Sequence, residues 1–341
     1  MTAEPTALEL GGGLVSGHYE HPARARWRPT RLQTCITLWL ALVGLLLWRW
    51  HLTTNRTQLF VIIGTGLIAT GAARLDHIGR VVRDWLPLFL ILFVYDSLRN
   101  QADKWFTVHV APQINADKFM FGGVVPTVWL QHALFTPGQP HWWDYLAFAV
   151  YLSHFFTALV IAALLWKFAY PQFKRFAFLF VTLSFAGFVT YGLYPAAPPW
   201  LASQSHALAP TAKIVDEVWA HLGLKNGASL LSARGNLANP VAAVPSLHAA
   251  YPVLLMLLFW GMAGRWRWLL PLYPLAMAFS LVYAGEHYVF DILLGWLYAG
   301  VVYFVGMWAM DAWARRRAAR AEVVMVPPPE ALVGASLSSP G

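Results

Sequence analysis

The feature that most constrains this chain is a series of long apolar runs that contain almost no charge. Eight such runs lie at roughly 32–49, 59–75, 83–99, 145–166, 176–194, 246–264, 268–284 and 287–309. Most of them approach the ~20 residues that an α-helix needs to cross a bilayer, whereas a transmembrane barrel would need short alternating strands. The sequence therefore predicts an all-α polytopic membrane protein with about eight transmembrane helices.

Composition agrees with this class. The chain is 58% hydrophobic and only 12% charged, which is not typical of an ordinary soluble domain. The formal charge of +8 comes from short basic clusters between the apolar runs. That pattern indicates membrane topology, and we expect no nucleic-acid partner. Because Cys35 is the only cysteine, neither an intrachain disulfide nor a thiolate metal cluster is expected.

The distribution of basic residues predicts the orientation. With the N-terminus in the cytoplasm, 16 of the 24 Lys and Arg residues fall on the cytoplasmic side, as the positive-inside rule requires. Both termini are then cytoplasmic, and the loop 195–245 and the turn 285–287 face outward. This predicts a multi-pass protein of the cell membrane with its functional site on the outer face.

Three parts are predicted along the chain: a disordered cytoplasmic tail (1–31), a membrane domain (32–310), and a basic and then disordered cytoplasmic tail (311–341). A cleaved signal peptide is the alternative for the first part, but the basic region is long and no cleavage motif follows the apolar run. A further apolar stretch, 118–135, is broken by glycines and a proline, so we expect it at the membrane surface or folded against the bundle.

Two histidines stand at the starts of late apolar runs, where a polar side chain is costly unless it is used or satisfied. His287 and Asp291 share one helix face, so the carboxylate can accept a hydrogen bond from one ring nitrogen and leave the other as a nucleophile or base. Ser246 is a good N-cap candidate, which puts His248 in the first turn of another helix. Free backbone N–H groups at both helix starts favour an anion. The pattern predicts a phosphate between two imidazoles, one attacking phosphorus and the other protonating the leaving oxygen.

These residues resemble a known family. Pro-Ser-Leu-His at 245–248, followed by His287 and Asp291, resembles the last two motifs of the type 2 phosphatidic acid phosphatase superfamily. The segment 194–200 narrows the resemblance to the inositol phosphorylceramide synthase branch and its bacterial relatives. The resemblance covers about 80–309 and implies a phosphatidic acid phosphatase-like helical bundle that needs no metal. It also implies that His287 is the phosphorylated nucleophile, Asp291 its orienting partner and His248 the acid and base.

The chain departs from the family in its cationic residues. The first phosphate-binding motif, a Lys seven residues before Arg-Pro, is absent, and the Arg of the third motif is replaced by Leu281, although Ser280 matches. A phosphomonoester carries about −1.5 to −2 charge, whereas a phosphodiester carries a single charge. Because few Lys and Arg residues are available to clamp the phosphate, the sequence favours a phosphodiester substrate. The predicted substrate-binding residues are Ser246, Arg234, Tyr194 and Trp200, with Lys213, Lys225 and Arg99 as further candidates for the clamp.

The sequence favours an enzyme that moves a phospho-head group, such as inositol phosphate, from a phospholipid to a lipid or alcohol acceptor through a phosphohistidine. A lipid phosphate or polyprenyl pyrophosphate phosphatase is the first alternative. The second is a transporter with proton-relaying histidines, although no repeat pairs its halves. His287 and Asp291 could form half of a metal site, but no further carboxylate or Cys cluster completes it. His154 is expected to be an interior hydrogen-bonded residue rather than a ligand, and Asp96 with Arg99 a buried or interfacial ion pair.

Overall fold

The computed structural model describes residues 30–50, 62, 65–66, 69, 75–98, 106–223 and 240–325. Within these ranges the chain is helical, and no β-strand forms beyond isolated bridges that join His109 to Ala196 and Ala196 to Ala242. The helices are α1 (Arg31–Trp50), α2 (Leu75–Leu98), α3 (Ala111–Met120), α4 (Pro126–Leu134), α5 (Trp142–Phe168), α6 (Tyr170–Leu193), α7 (Pro199–Gln204), α8 (Ile214–His221), α9 (Leu247–Phe259), α10 (Leu272–Tyr283) and α11 (Val289–Met325). The all-α prediction is therefore confirmed.

Three helices in the described part of the chain, α5, α6 and α11, are long and apolar enough to cross a membrane. Shorter apolar segments lie in α1 and α9. Most of the predicted run 59–75 lies outside the described residues. The count of about eight spans remains a prediction.

Two helix ends differ from the sequence expectation. The run 246–264 forms a helix only as far as Phe259, and a 3-10 turn follows at Gly264–Leu269. Gly264, the first residue of this turn, takes a positive φ of 52°, a conformation that favours glycine. The last run differs in the other direction, because α11 continues to Met325, beyond the apolar residues that end at 309; the boundary of the membrane domain at 310 remains a prediction. The Ala- and Arg-rich segment after 310 consists largely of strong helix formers, which lets the helix extend past its apolar part.

The stretch 118–135 forms parts of two short helices, α3 and α4, instead of one span. Gly122 and Gly123 take φ values of 61° and 94° between them, a conformation that most side chains disfavour. α3 packs against α11, and α4 packs against α10. These short helices therefore contact the same late helices that carry the predicted site.

The late helices pack closely because small residues let their backbones approach. α9 makes its most extensive contact with α11, and a Cβ atom at Gly295 would collide with the Ser246 carbonyl oxygen. A Cβ atom at Gly187 of α6 would likewise collide with the Leu247 side chain. The start of α9 is thus wedged between α6 and α11, which limits how far its first turn can move.

Candidate active site

The structure brings the two predicted histidines together. His248 lies in the first turn of α9, and His287 lies in the loop just before α11. The Nε2 atom of His287 is 3.4 Å from the Nδ1 atom of His248. His287 is buried, with 4% of its surface exposed. Two imidazoles from distant parts of the sequence therefore face each other in one partly enclosed site.

The other nitrogen of His287 defines the tautomer of its ring. Nδ1 lies 3.0 Å from the carbonyl oxygen of Ala243 and 3.5 Å from Oδ2 of Asp291. Because a carbonyl oxygen can only accept, Nδ1 carries the hydrogen and Nε2 holds its lone pair toward His248. The sequence predicted a fixed tautomer from Asp291 alone, without indicating which ring nitrogen carries the hydrogen. In the structure the shorter hydrogen bond goes to the backbone carbonyl, and the carboxylate lies slightly farther away.

Asp291 also joins the two loops that carry the histidines. Its Oδ2 accepts a hydrogen bond of 2.9 Å from the backbone N–H of Tyr288. Its backbone carbonyl accepts a hydrogen bond of 3.0 Å from the N–H of Ser246. Asp291 is fully buried. One residue thus ties the start of α11 to the start of α9, which fixes the distance between the rings.

The prediction that the start of α11 offers free N–H groups to a phosphate is wrong. Asp117 of α3 accepts hydrogen bonds from Val289 N–H at 3.2 Å and from Phe290 N–H at 3.0 Å. Asp117 is fully buried, and burial raises its pKa to about 6, although the two backbone donors oppose the shift. The positive end of this helix is therefore already occupied by carboxylates of the protein itself.

The start of α9 agrees with the prediction that Ser246 caps this helix. Ser246 is the N-cap of this helix, because its side chain accepts a hydrogen bond from the N–H of Ala249 at 3.3 Å. The Tyr191 hydroxyl donates to the Pro245 carbonyl at 2.7 Å and accepts from the Leu247 N–H at 3.3 Å. These bonds hold the turn before His248. Direct contact of Ser246 with a substrate remains a prediction.

Trp200 and Lys213 cover the loop that carries His287. The backbone N–H of Trp200 donates a hydrogen bond to the Gly285 carbonyl at 3.1 Å. The Lys213 ammonium lies 5.2 Å from the centre of the Trp200 ring, 3.4 Å from an Asp216 carboxylate oxygen and 4.0 Å from Oε1 of Glu286. Burial raises the pKa of Glu286, while Lys213 and His287 oppose this shift. Lys213 is therefore shared between two carboxylates beside the site.

The remaining predicted residues fall in different places. Tyr194 stacks on His109 with ring centres 3.9 Å apart, and burial together with nearby Asp291 raises its pKa. It packs against the buried cluster that includes Ala243 and Val244, just before α9. Three predicted clamp residues, Arg234, Lys225 and Arg99, lie outside the described residues, as does the proposed pairing of Arg99 with Asp96.

Sequence reasoning missed three contributions to the site. Asp117 gives no sequence signal, because it lies in a short helix far from the motifs. Glu286 could have been noticed, because it directly precedes His287. His154 was predicted to be an interior hydrogen-bonded residue, without a place beside the site, and its ring centre is 3.9 Å from that of His248. Within the described ranges, no three His, Cys, Asp or Glu side chains are arranged to hold a metal ion.

Comparison with known proteins gives a consistent picture. Residues 122–305 match the profile of the PAP2 superfamily. The chain is 32% identical over 226 residues to a phosphoinositol dihydroceramide synthase of Bacteroides thetaiotaomicron, covering 62% of this chain and 71% of that protein. It is 26% identical over 219 residues to an inositol phosphorylceramide synthase of Candida albicans, covering 62% of this chain but only 45% of that protein. No solved structure matches. The family match spans more than half of the chain and includes the whole histidine site, so this chain belongs to the PAP2 superfamily.

Proposed function

We propose that this enzyme transfers a phospho-head group, such as inositol phosphate, from a phospholipid to the hydroxyl of a lipid or alcohol acceptor. The observation that carries the proposal is the facing pair of imidazoles, with His287 Nε2 at 3.4 Å from His248 Nδ1. The hydrogen bond from His287 Nδ1 to the Ala243 carbonyl supports a nucleophilic Nε2. The names of the two relatives support inositol phosphate as the group that is moved.

In the first half-reaction the lone pair of His287 Nε2 attacks phosphorus. The bond from phosphorus to the diacylglycerol oxygen breaks, and protonated His248 gives its proton to that oxygen. The products are diacylglycerol and a phosphohistidine at His287. The ring of His287 gains positive character in this step, and the nearby Asp291 carboxylate, 3.5 Å from Nδ1, stabilises it.

In the second half-reaction His248, now neutral, takes the proton of the acceptor hydroxyl. The acceptor oxygen attacks phosphorus, and the bond from phosphorus to His287 Nε2 breaks. This step restores the neutral His287 and the protonated His248, so protons and bonds balance over one cycle. The transfer thus takes place by two displacements through a covalent intermediate, instead of one direct displacement between two lipids.

The charges around the site favour a phosphodiester as the donor. Carboxylates surround His287, with Asp291 and Glu286 nearby and Asp117 at the helix start. Lys213 is already paired with Glu286 and Asp216. A doubly charged phosphomonoester would meet stronger repulsion here than a singly charged diester. We therefore rank head-group transfer above hydrolysis of lipid phosphates, in which water would be the acceptor.

The positive-inside pattern supports a location for this chemistry. We propose that both termini lie in the cytoplasm and that the histidines open to the outer face of the cell membrane. Residues 32–310 would form the membrane domain, with the family core inside it. The acceptor hydroxyl and the donor phosphate would then both come from the outer leaflet.

The test uses detergent-purified protein and phosphatidylinositol radiolabelled in its head group, with and without a lipid extract of the native membrane. We expect wild type to make a new labelled lipid only when the extract supplies an acceptor. His287→Ala and His248→Ala should lose this activity by about 10²-fold or more, as expected for a nucleophile and an acid–base group.

His132→Ala is the matched control, because His132 is an exposed histidine on α4. It should keep wild-type activity. Release of labelled inositol phosphate without a new lipid would favour the hydrolase. Equal activity of His287→Ala and wild type would refute the catalytic assignment.

A further inference from the structure

Three aromatic rings on one face of α5 contact the His248 ring. Tyr151 stacks on it with ring centres 5.3 Å apart and an interplanar angle of 16°. His154 lies closer, at 3.9 Å with a tilt of 34°, and Phe155 meets it edge-on at 5.9 Å. These residues are spaced i, i+3 and i+4, so one helical turn presents all three rings to His248.

His154 also contacts Tyr251, which lies one helical turn after His248 on α9. Tyr251 of α9 stacks on it with ring centres 5.3 Å apart. The Tyr251 hydroxyl is hydrogen-bonded to the Ser184 hydroxyl of α6 at 2.8 Å, and the Ser184 hydroxyl also donates to the Phe180 carbonyl at 2.7 Å. The chain of contacts from α6 through Tyr251 and His154 to His248 therefore leaves the His154 ring little freedom to turn.

The position of His154 calls for an explanation. It lies midway along α5, one of the helices able to cross a membrane, where a polar side chain is costly. Leu would pack there without that cost, but it has no ring to contact His248. The ring that His154 contacts most closely is the proposed acid and base, which indicates that its role concerns His248.

We infer that His154 is a positioning residue for His248. Its ring, 3.9 Å from the His248 ring and tilted by 34°, restricts rotation of the His248 imidazole, so that Nδ1 stays directed at His287 and at the oxygen that leaves phosphorus. This inference rests on the proposed phosphotransfer, because it assigns His154 an effect on proton donation by His248 and no contact with substrate. Loss of the ring should impair proton transfer more than binding.

The test compares two donors that differ in how much they need an acid. Diacylglycerol leaves phosphatidylinositol poorly without a proton, whereas p-nitrophenolate leaves p-nitrophenyl inositol phosphate readily. Release of the leaving group is followed in the first turnover, before the acceptor reacts. The variants are His154→Leu, which removes the ring, and His154→Phe, which keeps it. Phe156→Leu, an exposed neighbour on α5, is the control.

His154→Leu should slow diacylglycerol release by about tenfold, a part of the 10²–10⁴-fold that a general acid supplies, while p-nitrophenolate release changes by less than about threefold. His154→Phe and the Phe156 control should stay near wild type with both donors. Equal slowing on both donors, or a Phe variant as slow as the Leu variant, would overturn the inference.

A spectroscopic measurement separates this inference from the proposed function. In full-length protein carrying ¹³C-labelled histidine, the His248 ring signals, assigned by their loss in His248→Gln, should be shifted upfield by the neighbouring rings of Tyr151 and His154. The shift should persist in full in His154→Phe and decrease in His154→Leu, which keeps only Tyr151. An unchanged signal in the Leu variant would refute the stacking. Failure of wild type to cleave either donor would instead refute phosphotransfer.

Discussion

Replacing Asp117 with Asn tests whether a buried carboxylate holds the start of α11. Both carboxylate oxygens accept backbone hydrogen bonds, from Val289 and Phe290. Burial raises the pKa of this side chain from an ordinary value of 3.8 to about 6. The folded state therefore binds a proton more tightly than the unfolded state does. This contribution to stability is fully present below pH 3.8 and is lost as the pH rises through about 6.

Because Asn cannot titrate, Asp117→Asn should lack this pH-dependent contribution to stability. Each pH unit between the unfolded and folded pKa values corresponds to about 1.4 kcal/mol. Between pH 8 and pH 5, one unit below the folded pKa, the free energy of unfolding of wild type should therefore rise by about 1.4 kcal/mol relative to that of the Asn variant. Groups that do not interact with Asp117 cancel in this difference.

The assay is equilibrium unfolding in mixed micelles titrated with dodecyl sulfate, followed by tryptophan fluorescence at pH 5 and pH 8. The quantity of interest is the change, between the two pH values, in the difference between the free energies of unfolding of wild type and Asp117→Asn. If the free energy of unfolding of wild type instead increases relative to that of the Asn variant as the pH rises, the two N–H donors lower the pKa of Asp117 more than burial raises it. That result would refute the reasoning about this cap.

Two further substitutions test the packing around the site. Gly295→Ala should lower transfer activity at least tenfold, because the new methyl group collides with the Ser246 carbonyl and displaces the first turn of α9; Gly300→Ala, where nothing lies within 4 Å, should keep wild-type activity. Gln131→Ala removes three hydrogen bonds to backbone groups and should lower the free energy of unfolding by about 2–4 kcal/mol, measured by the same titration, whereas His132→Ala should change it little. A stable Gln131→Ala protein or an active Gly295→Ala protein would contradict these packing arguments.

The sequence was enough to predict the pairing of the two histidines. His248 and His287 each stand at the start of an apolar run, and helices that begin on the same side of a membrane bring such residues to one level. The N-cap role of Ser246 followed from local preference alone. These features depend on short segments, in which residue spacing and helix propensity determine geometry.

Other features depend on contacts that no local pattern encodes. Asp117 caps a helix that begins 172 residues later in the chain, so its role could not be read from its own short helix. The expectation of free N–H groups at α11 failed for this reason. The place of His154 beside His248 depends on the rotation of α5 about its axis, and an apolar run that is hydrophobic all round does not specify that rotation.

The contact between Asp117 and the start of α11 also affects the order of assembly. The chain is synthesised from its N-terminus at about 5–20 residues per second. The 172 residues between the partners therefore separate their synthesis by roughly 10–30 s. During that interval Asp117 has no backbone donors from α11 to cap. The geometry of the candidate site can form only after α11 has been made, so a nascent chain that has not yet reached Asp291 lacks this arrangement.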